Sequence, residues 1–184
     1  MRWWSRVTLA SLLACLSHVT VADQTDSRLP DLFDALASAP NAATAQTYES
    51  QIWHLWIVVD EPKAKAALDR GIGFMNLGDF RSAITHFDAV VEHAPDFAEG
   101  WNKRATAYYL AGDHARSMQD IERTLRLEPR HFGAISGMGL IFMAREDFKA
   151  ALDAFELVLK IHPFAAGANL HQEQLRRRLA GQSS

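Results

Sequence analysis

The stretch GDFRSAITHFDAVVEHAP at residues 78–95 decides the fold, because the chain writes it again twice. GDHARSMQDIERTLRLEP stands at 112–129 and EDFKAALDAFELVLKIHP at 146–163. Each copy starts 34 residues after the last and closes on a proline: Pro95, Pro129 and Pro163. Within the first copy, Ala83, Ile84, Phe87, Val90 and Val91 recur at steps of three and four, which gathers them on one side of an α-helix. Gly78 accepts the positive φ that ends a preceding helix, and Asp79 offers a carboxylate to the free N–H groups that open the next one. The proline forces the residue before it out of helical geometry.

The residues upstream of each copy repeat too. Gly71, Ala105 and Gly139 form one column, and Phe74, Tyr108 and Phe142 form another. Ala67, Gly71 and Phe74 share a helix face. Each period therefore encodes two antiparallel helices, with small residues such as Gly71 and Ala83 where the backbones meet. A leucine at Ala83 is expected to overpack that contact.

This period and these residue types resemble the tetratricopeptide-repeat family from about Ala64 to Ala165, with Trp101 at the family's leading aromatic position. Four positions depart from the pattern: Arg70 and Arg104 in place of leucine, Glu146 in place of the turn glycine, and Ser117 in place of alanine. The resemblance implies an all-α chain, an α-solenoid of antiparallel helix pairs with units at 64–97, 98–131 and 132–165. A single hairpin cannot bury its own apolar face, so the ends of the stack need covers. Residues 166–184 supply a capping helix and tail, with Leu175 and Leu179 on its inner side. Residues 29–62 read as a degenerate hairpin that packs on the first clear repeat, with Trp53 and Trp56 as core anchors. Residues 23–28 read as a flexible lead-in.

Residues 1–22 have the pattern of a signal peptide: Arg2 and Arg6, an apolar run from Val7 to Leu16, and small or branched residues before Asp23. Leu12-Leu13-Ala14-Cys15 offers a second reading, a lipoprotein box with lipid attached at Cys15. Either reading exports the folded part, to the periplasm in the first case and to a membrane anchor in the second. The apolar run is too short to span a bilayer.

Composition narrows the chemistry. Cys15 is the chain's one cysteine, so a processed chain has no thiol for a disulfide, a zinc-thiolate site or a nucleophile. Formal net charge is −3, and the one cationic run, Arg176-Arg177-Arg178, suits the negative end of a helix dipole. Nucleic acid is not an expected partner. His86 and His93 share a face but stand about 10 Å apart along the axis, too far to share one metal. No phosphate loop, His-Glu-x-x-His motif or nucleophile elbow is present. No residue is expected to be catalytic, and no cofactor or metal is expected.

What the resemblance implies for function is a concave wall built from the first helix of each unit, which holds a protein or peptide segment. Transferred by register, that wall is Ile72, Met75 and Asn76, then Asn102, Lys103, Thr106 and Tyr109, then Leu140 and Met143. Asp69 and Glu99 also fall on the wall, and Gly133 and Gly137 leave gaps in it. The cations that family members use to clamp a C-terminal carboxylate are therefore missing. The expected role is a non-catalytic adaptor or scaffold of the periplasm or cell envelope. The alternative is an accessory factor in envelope or cofactor assembly that holds a small ligand or metal.

Overall fold

A computed structural model describes residues 23–181; residues 1–22, on which the signal-peptide and Cys15 lipid-anchor readings fall, and the last three residues lie outside them. Among the described residues the secondary structure is helical throughout: α1 (Leu29–Ala37), α2 (Ala42–Trp56), α3 (Pro62–Asn76), α4 (Phe80–His93), α5 (Ala98–Leu110), α6 (His114–Leu127), α7 (Phe132–Ala144), α8 (Phe148–Ile161) and α9 (Ala166–Gly181). Helices α3–α4, α5–α6 and α7–α8 are antiparallel pairs, and each pair packs on the next, with α9 closing the stack against α8. None of these helices is long and apolar enough to cross a membrane.

The three pairs turn alike because the same groups do the turning. Gly78 (φ 73°), Gly112 (φ 81°) and Glu146 (φ 59°) all hold the left-handed conformation. In each turn the next N–H, from Asp79, Asp113 or Asp147, reaches back to the carbonyl of Phe74, Tyr108 or Phe142 at 2.8–3.0 Å, which satisfies a helix-end acceptor. The same three aspartates then cap α4, α6 and α8 by accepting from Ser82, Arg116 and Ala150 N–H. Each such cap gives a partner to one of the N–H groups that the start of a helix leaves unpaired. Glu146 keeps the turn but, as a side chain in αL, does so under strain.

Close approach within a pair depends on small residues. A Cβ on Gly71 would enter the Phe87 ring, and one on Gly139 would lie 2.9–3.1 Å from three atoms of Phe155. The middle pair uses Ala105 and Ser117 at the crossing, and the Ser117 hydroxyl donates to the Ala105 carbonyl at 2.8 Å. The serine thus fits without leaving a buried polar group unpaired. Arg104 is accounted for as well. It lies half-buried, forks onto both Asp120 oxygens (2.7 and 2.8 Å), reaches Asp88 at 2.8 Å and covers the Trp101 ring at 4.9 Å. One guanidinium therefore joins α4, α5 and α6, a task leucine cannot perform. Burial pushes the Asp120 carboxyl above its ordinary range despite this partner.

The first hairpin does not sit where the sequence suggested. Leu29, Phe33, Leu36, Ile52, Leu55 and Trp56 form one core with Phe132, Ile135, Phe155, Val158 and Leu175. So α1–α2 covers the third pair and α9, and only the link after it, Ile57 and Val59, packs with the first pair. The physical reason is the supply of apolar surface. The third pair presents Phe132 and Phe155 beside glycines, whereas the link of five residues between α2 and α3 leaves the whole of α2 free to lie along the stack. The capping duty moves with it, from the first repeat to the third.

The lead-in is also held rather than loose. Helix α5 has no side-chain cap of its own, and Gln24 supplies one, accepting from Ala98 N–H at 3.1 Å while donating to the Asp96 carbonyl at 2.6 Å. Asp26 is buried and binds Arg28 through two oxygens at 2.8 Å. At the other end, Arg176 pairs with Glu156, Arg177 with Glu173, and Arg178 lies 4.0 Å over Phe148. The arginine run is spent on α8 and α9.

Candidate functional site

Helices α5 and α7 lie side by side, and their exposed faces are where the register placed the wall. A recess of about 230 Å³ opens between them, bordered by Asn102, Thr106 and Tyr109 of α5 and by Ser136, Gly137 and Leu140 of α7, with Ile121 of α6 as floor. Of the nine residues expected at the wall, the structure gathers Asn102, Thr106, Tyr109 and Leu140 here. Ile72 and Met75 lie partly buried against the core of the first pair, and Met143, like Leu140, lies partly buried against the large C-terminal core. Asn76 is exposed near the end of α3.

Lys103 is on the wall but occupied. Its ammonium lies 2.9 Å from Glu99 and 5.8 Å from the Trp53 ring. Glu99 corrects the sequence reading more strongly, because it is no solvent-facing charge. Its side chain is 0% exposed, and Asn102 donates to one oxygen at 2.8 Å. His131 meets the same oxygen at 3.0 Å. The Nδ1 of His131 accepts from Ala134 N–H at 3.1 Å, so the proton sits on Nε2 and is donated to Glu99. Burial alone would raise the Glu99 pKa, but the His131 hydrogen bond and the Lys103 charge outweigh it and hold the carboxyl below its ordinary range.

His131 is where the two parts of the chain meet. It caps α7, ties α7 to α5 through Glu99, and stacks flat on Trp56 of α2 with ring centroids 4.2 Å apart. Trp53, one helical turn away, meets His131 and Phe132 edge-on and rests on Gly133, where a Cβ would stand 2.8 Å from the indole. The expectation that the two tryptophans anchor a core agrees with this packing, with Trp56 buried and Trp53 half-buried. The expectation of an open trough does not. Helix α2 covers the part of the inner face around Lys103 and Gly133, and the gap at Gly133 is the seat of Trp53.

Between α2, α7 and the start of α9 runs a second cleft of about 540 Å³, which shares Gly133 and Ser136 with the recess. Gln46, Glu49, Trp53 and His162 line it, and Glu49 approaches His162 at 3.4 Å. What places α2 is the packing of Trp53 on Gly133 and of Trp56 on His131 and Phe132 at the start of α7. That packing relates distant segments, so no periodicity reveals it.

Among the described residues, no three His, Cys, Asp or Glu side chains cluster as a metal site would require. His86 stacks on Phe74 and His114 on Tyr109, each with centroids 5.2 Å apart.

The family model described as Tetratricopeptide repeat matches residues 68–131. A TPR repeat-containing protein of Rhizobium etli is 40% identical over 100 residues, which is 54% of this chain and 49% of that protein. The chain therefore spans about half the length of that curated relative. Among solved structures, the first TPR of Spaghetti (RPAP3), bound to the HSP90 peptide SRMEEVD, superposes with a TM-score of 0.63 at 23% identity, covering 66% of this chain and 97% of that one. The Sgt2 TPR domain from Aspergillus fumigatus gives 0.61 at 21% identity, over 66% and 82% of the two chains.

Proposed function

This chain is a tetratricopeptide-repeat protein, and from that premise we propose that it is a non-catalytic adaptor that binds a segment of another protein in the recess between α5 and α7. The repeat is in general an interaction module without chemistry of its own. One observation carries the reading. With α2 docked and Lys103 engaged, a concavity still remains on the face formed by Thr106, Tyr109, Gly137 and Leu140. The hollow opens at the surface, with Thr106 exposed at its mouth, so a side chain of a partner can enter it. Similar repeats hold peptides, as the SRMEEVD complex illustrates.

We place the adaptor outside the cytoplasm, in the periplasm or at the cell envelope, on the strength of residues 1–22. Mass spectrometry of the mature N-terminus tests that part: a chain starting near Asp23 supports simple export, one starting with a lipidated Cys15 supports anchoring, and an unprocessed Met1 removes both. The binding reading is tested by a photoreactive residue at Thr106, which is exposed at the recess mouth, compared with one at Lys149, exposed on α8. Irradiation of producing cells is expected to trap a specific protein from position 106 and not from 149. Identical products from both positions would refute the assignment.

A further inference from the structure

The lining of the recess says what kind of side chain it accepts. None of the residues that line it carries a charge, from Asn102, Thr106 and Tyr109 on α5 to Ser136, Gly137 and Leu140 on α7. Its polar atoms are largely spent already. The hydroxyls of Thr106, Ser117 and Ser136 donate to the carbonyls of Asn102, Ala105 and Phe132, and the Asn102 amide donates to Glu99. The nearby cation, Lys103, is neutralised by Glu99. An acidic segment entering here would lose its hydration and gain no counter-charge, which costs more than it returns.

The neighbouring position shows the favourable alternative in place. Gly133 has no side chain, and the indole of Trp53 fills the space. One turn further along the same face, Gly137 has the same lack, and a Cβ there would meet only Ile121 at 3.4 Å. The seat at Gly133 and the recess at Gly137 are continuous, because Gly133 and Ser136 belong to both hollows.

Building on the adaptor reading above, we propose that the recess takes one large uncharged side chain, an aromatic one, from the partner segment, as Gly133 takes Trp53. The partner then lies beside α2 on the inner face and is chosen by an apolar anchor, not by an acidic tail. A single large aromatic in a desolvated pocket, ringed by near-neutral contacts, is the usual form of a binding hot spot.

The test uses the folded chain from Asp23 onward, labelled for amide NMR, with three probes: N-acetyl-tryptophanamide, N-acetyl-glutaminamide and the acidic peptide SRMEEVD. The tryptophan probe is expected to shift amides at 105–109 and 133–140 in a saturable way, at least tenfold more tightly than the glutamine probe. SRMEEVD is expected to leave them unmoved. Gly137→Leu, which fills the recess, should weaken the tryptophan probe at least tenfold, and Tyr109→Ala, which removes one wall, should also weaken it. Unchanged spectra away from the recess would show that both variants fold. Comparable or tighter binding of SRMEEVD in the recess would overturn the aromatic anchor while leaving the adaptor reading intact. Tryptophan-probe shifts confined to other surfaces would also overturn the anchor. If no probe moves these amides and Thr106 also traps nothing, both fall together.

Discussion

Gly133→Ala measures whether α2 lies on the inner face. The new methyl carbon would stand 2.8 Å from one indole carbon of Trp53 and 3.2 Å from another, inside ordinary contact distance. Either Trp53 or the start of α7 must shift, and overpacking of this kind costs about 1–3 kcal/mol. Replacing glycine in a helix returns up to about 1 kcal/mol. The net expectation is a loss of about 0–3 kcal/mol. The decisive quantity is the coupling with Trp53→Ala. With the indole gone the methyl meets only the His131 ring, at 3.4 Å and so in ordinary contact, and Gly133→Ala should then stabilise by up to about 1 kcal/mol. The two backgrounds should therefore differ by roughly 1–3 kcal/mol. Urea unfolding of the four proteins, with the midpoint and slope fitted separately, provides the cycle. A coupling indistinguishable from zero would mean that Trp53 does not occupy the Gly133 seat, and the placement of α2 would be wrong.

Other substitutions test the remaining elements. Gly71→Ala drives a methyl into the Phe87 ring and should destabilise, whereas Gly73→Ala, with nothing within 4 Å, should stabilise by about 0.5–1 kcal/mol; thermal melts of the two read opposite signs from one helix. Glu146→Gly relieves a side chain at φ 59° and should raise stability by about 1 kcal/mol in urea unfolding. Glu99→Gln removes the charge that Lys103 and His131 address and should cost about 1.5–3 kcal/mol near neutrality. The pH dependence follows from direction alone. The folded-state pKa of Glu99 lies below the ordinary 4.5, so its stabilisation is full above pH 4.5 and fades as pH falls through the depressed value. Acid titration of stability should therefore be less steep below pH 4.5 in Glu99→Gln than in the parent, and equal slopes would contradict the buried pairing.

What the sequence made legible was what recurs within it. The 34-residue period carried the paired helices, the small residues at Gly71 and Gly139, and the turn position shared by Gly78, Gly112 and Glu146. These depend on neighbours close along the chain, so spacing reveals them. The four wall residues that meet at the recess were legible for the same reason, because two adjacent units repeat one register. Ile72, Met75 and Met143 lie away from that recess, partly buried against neighbouring cores, because register does not say which way a unit turns its apolar surface. Glu99 looked like a free wall carboxylate because its partner His131 is 32 residues away and Lys103 reads as a surface cation. The docking of α1–α2 on the third pair escaped for a stronger reason. It is made by Trp53, Trp56 and Phe33 against residues far later in the chain, such as Phe132, and nothing periodic connects them.

The most direct test of the account is the affinity of the purified chain for whatever protein Thr106 traps, compared between the parent and Gly137→Leu at equal thermal stability. Filling the recess should weaken binding at least tenfold, equivalent to about 1.4 kcal/mol. An unchanged dissociation constant for a folded Gly137→Leu protein would show that the partner does not bind between α5 and α7.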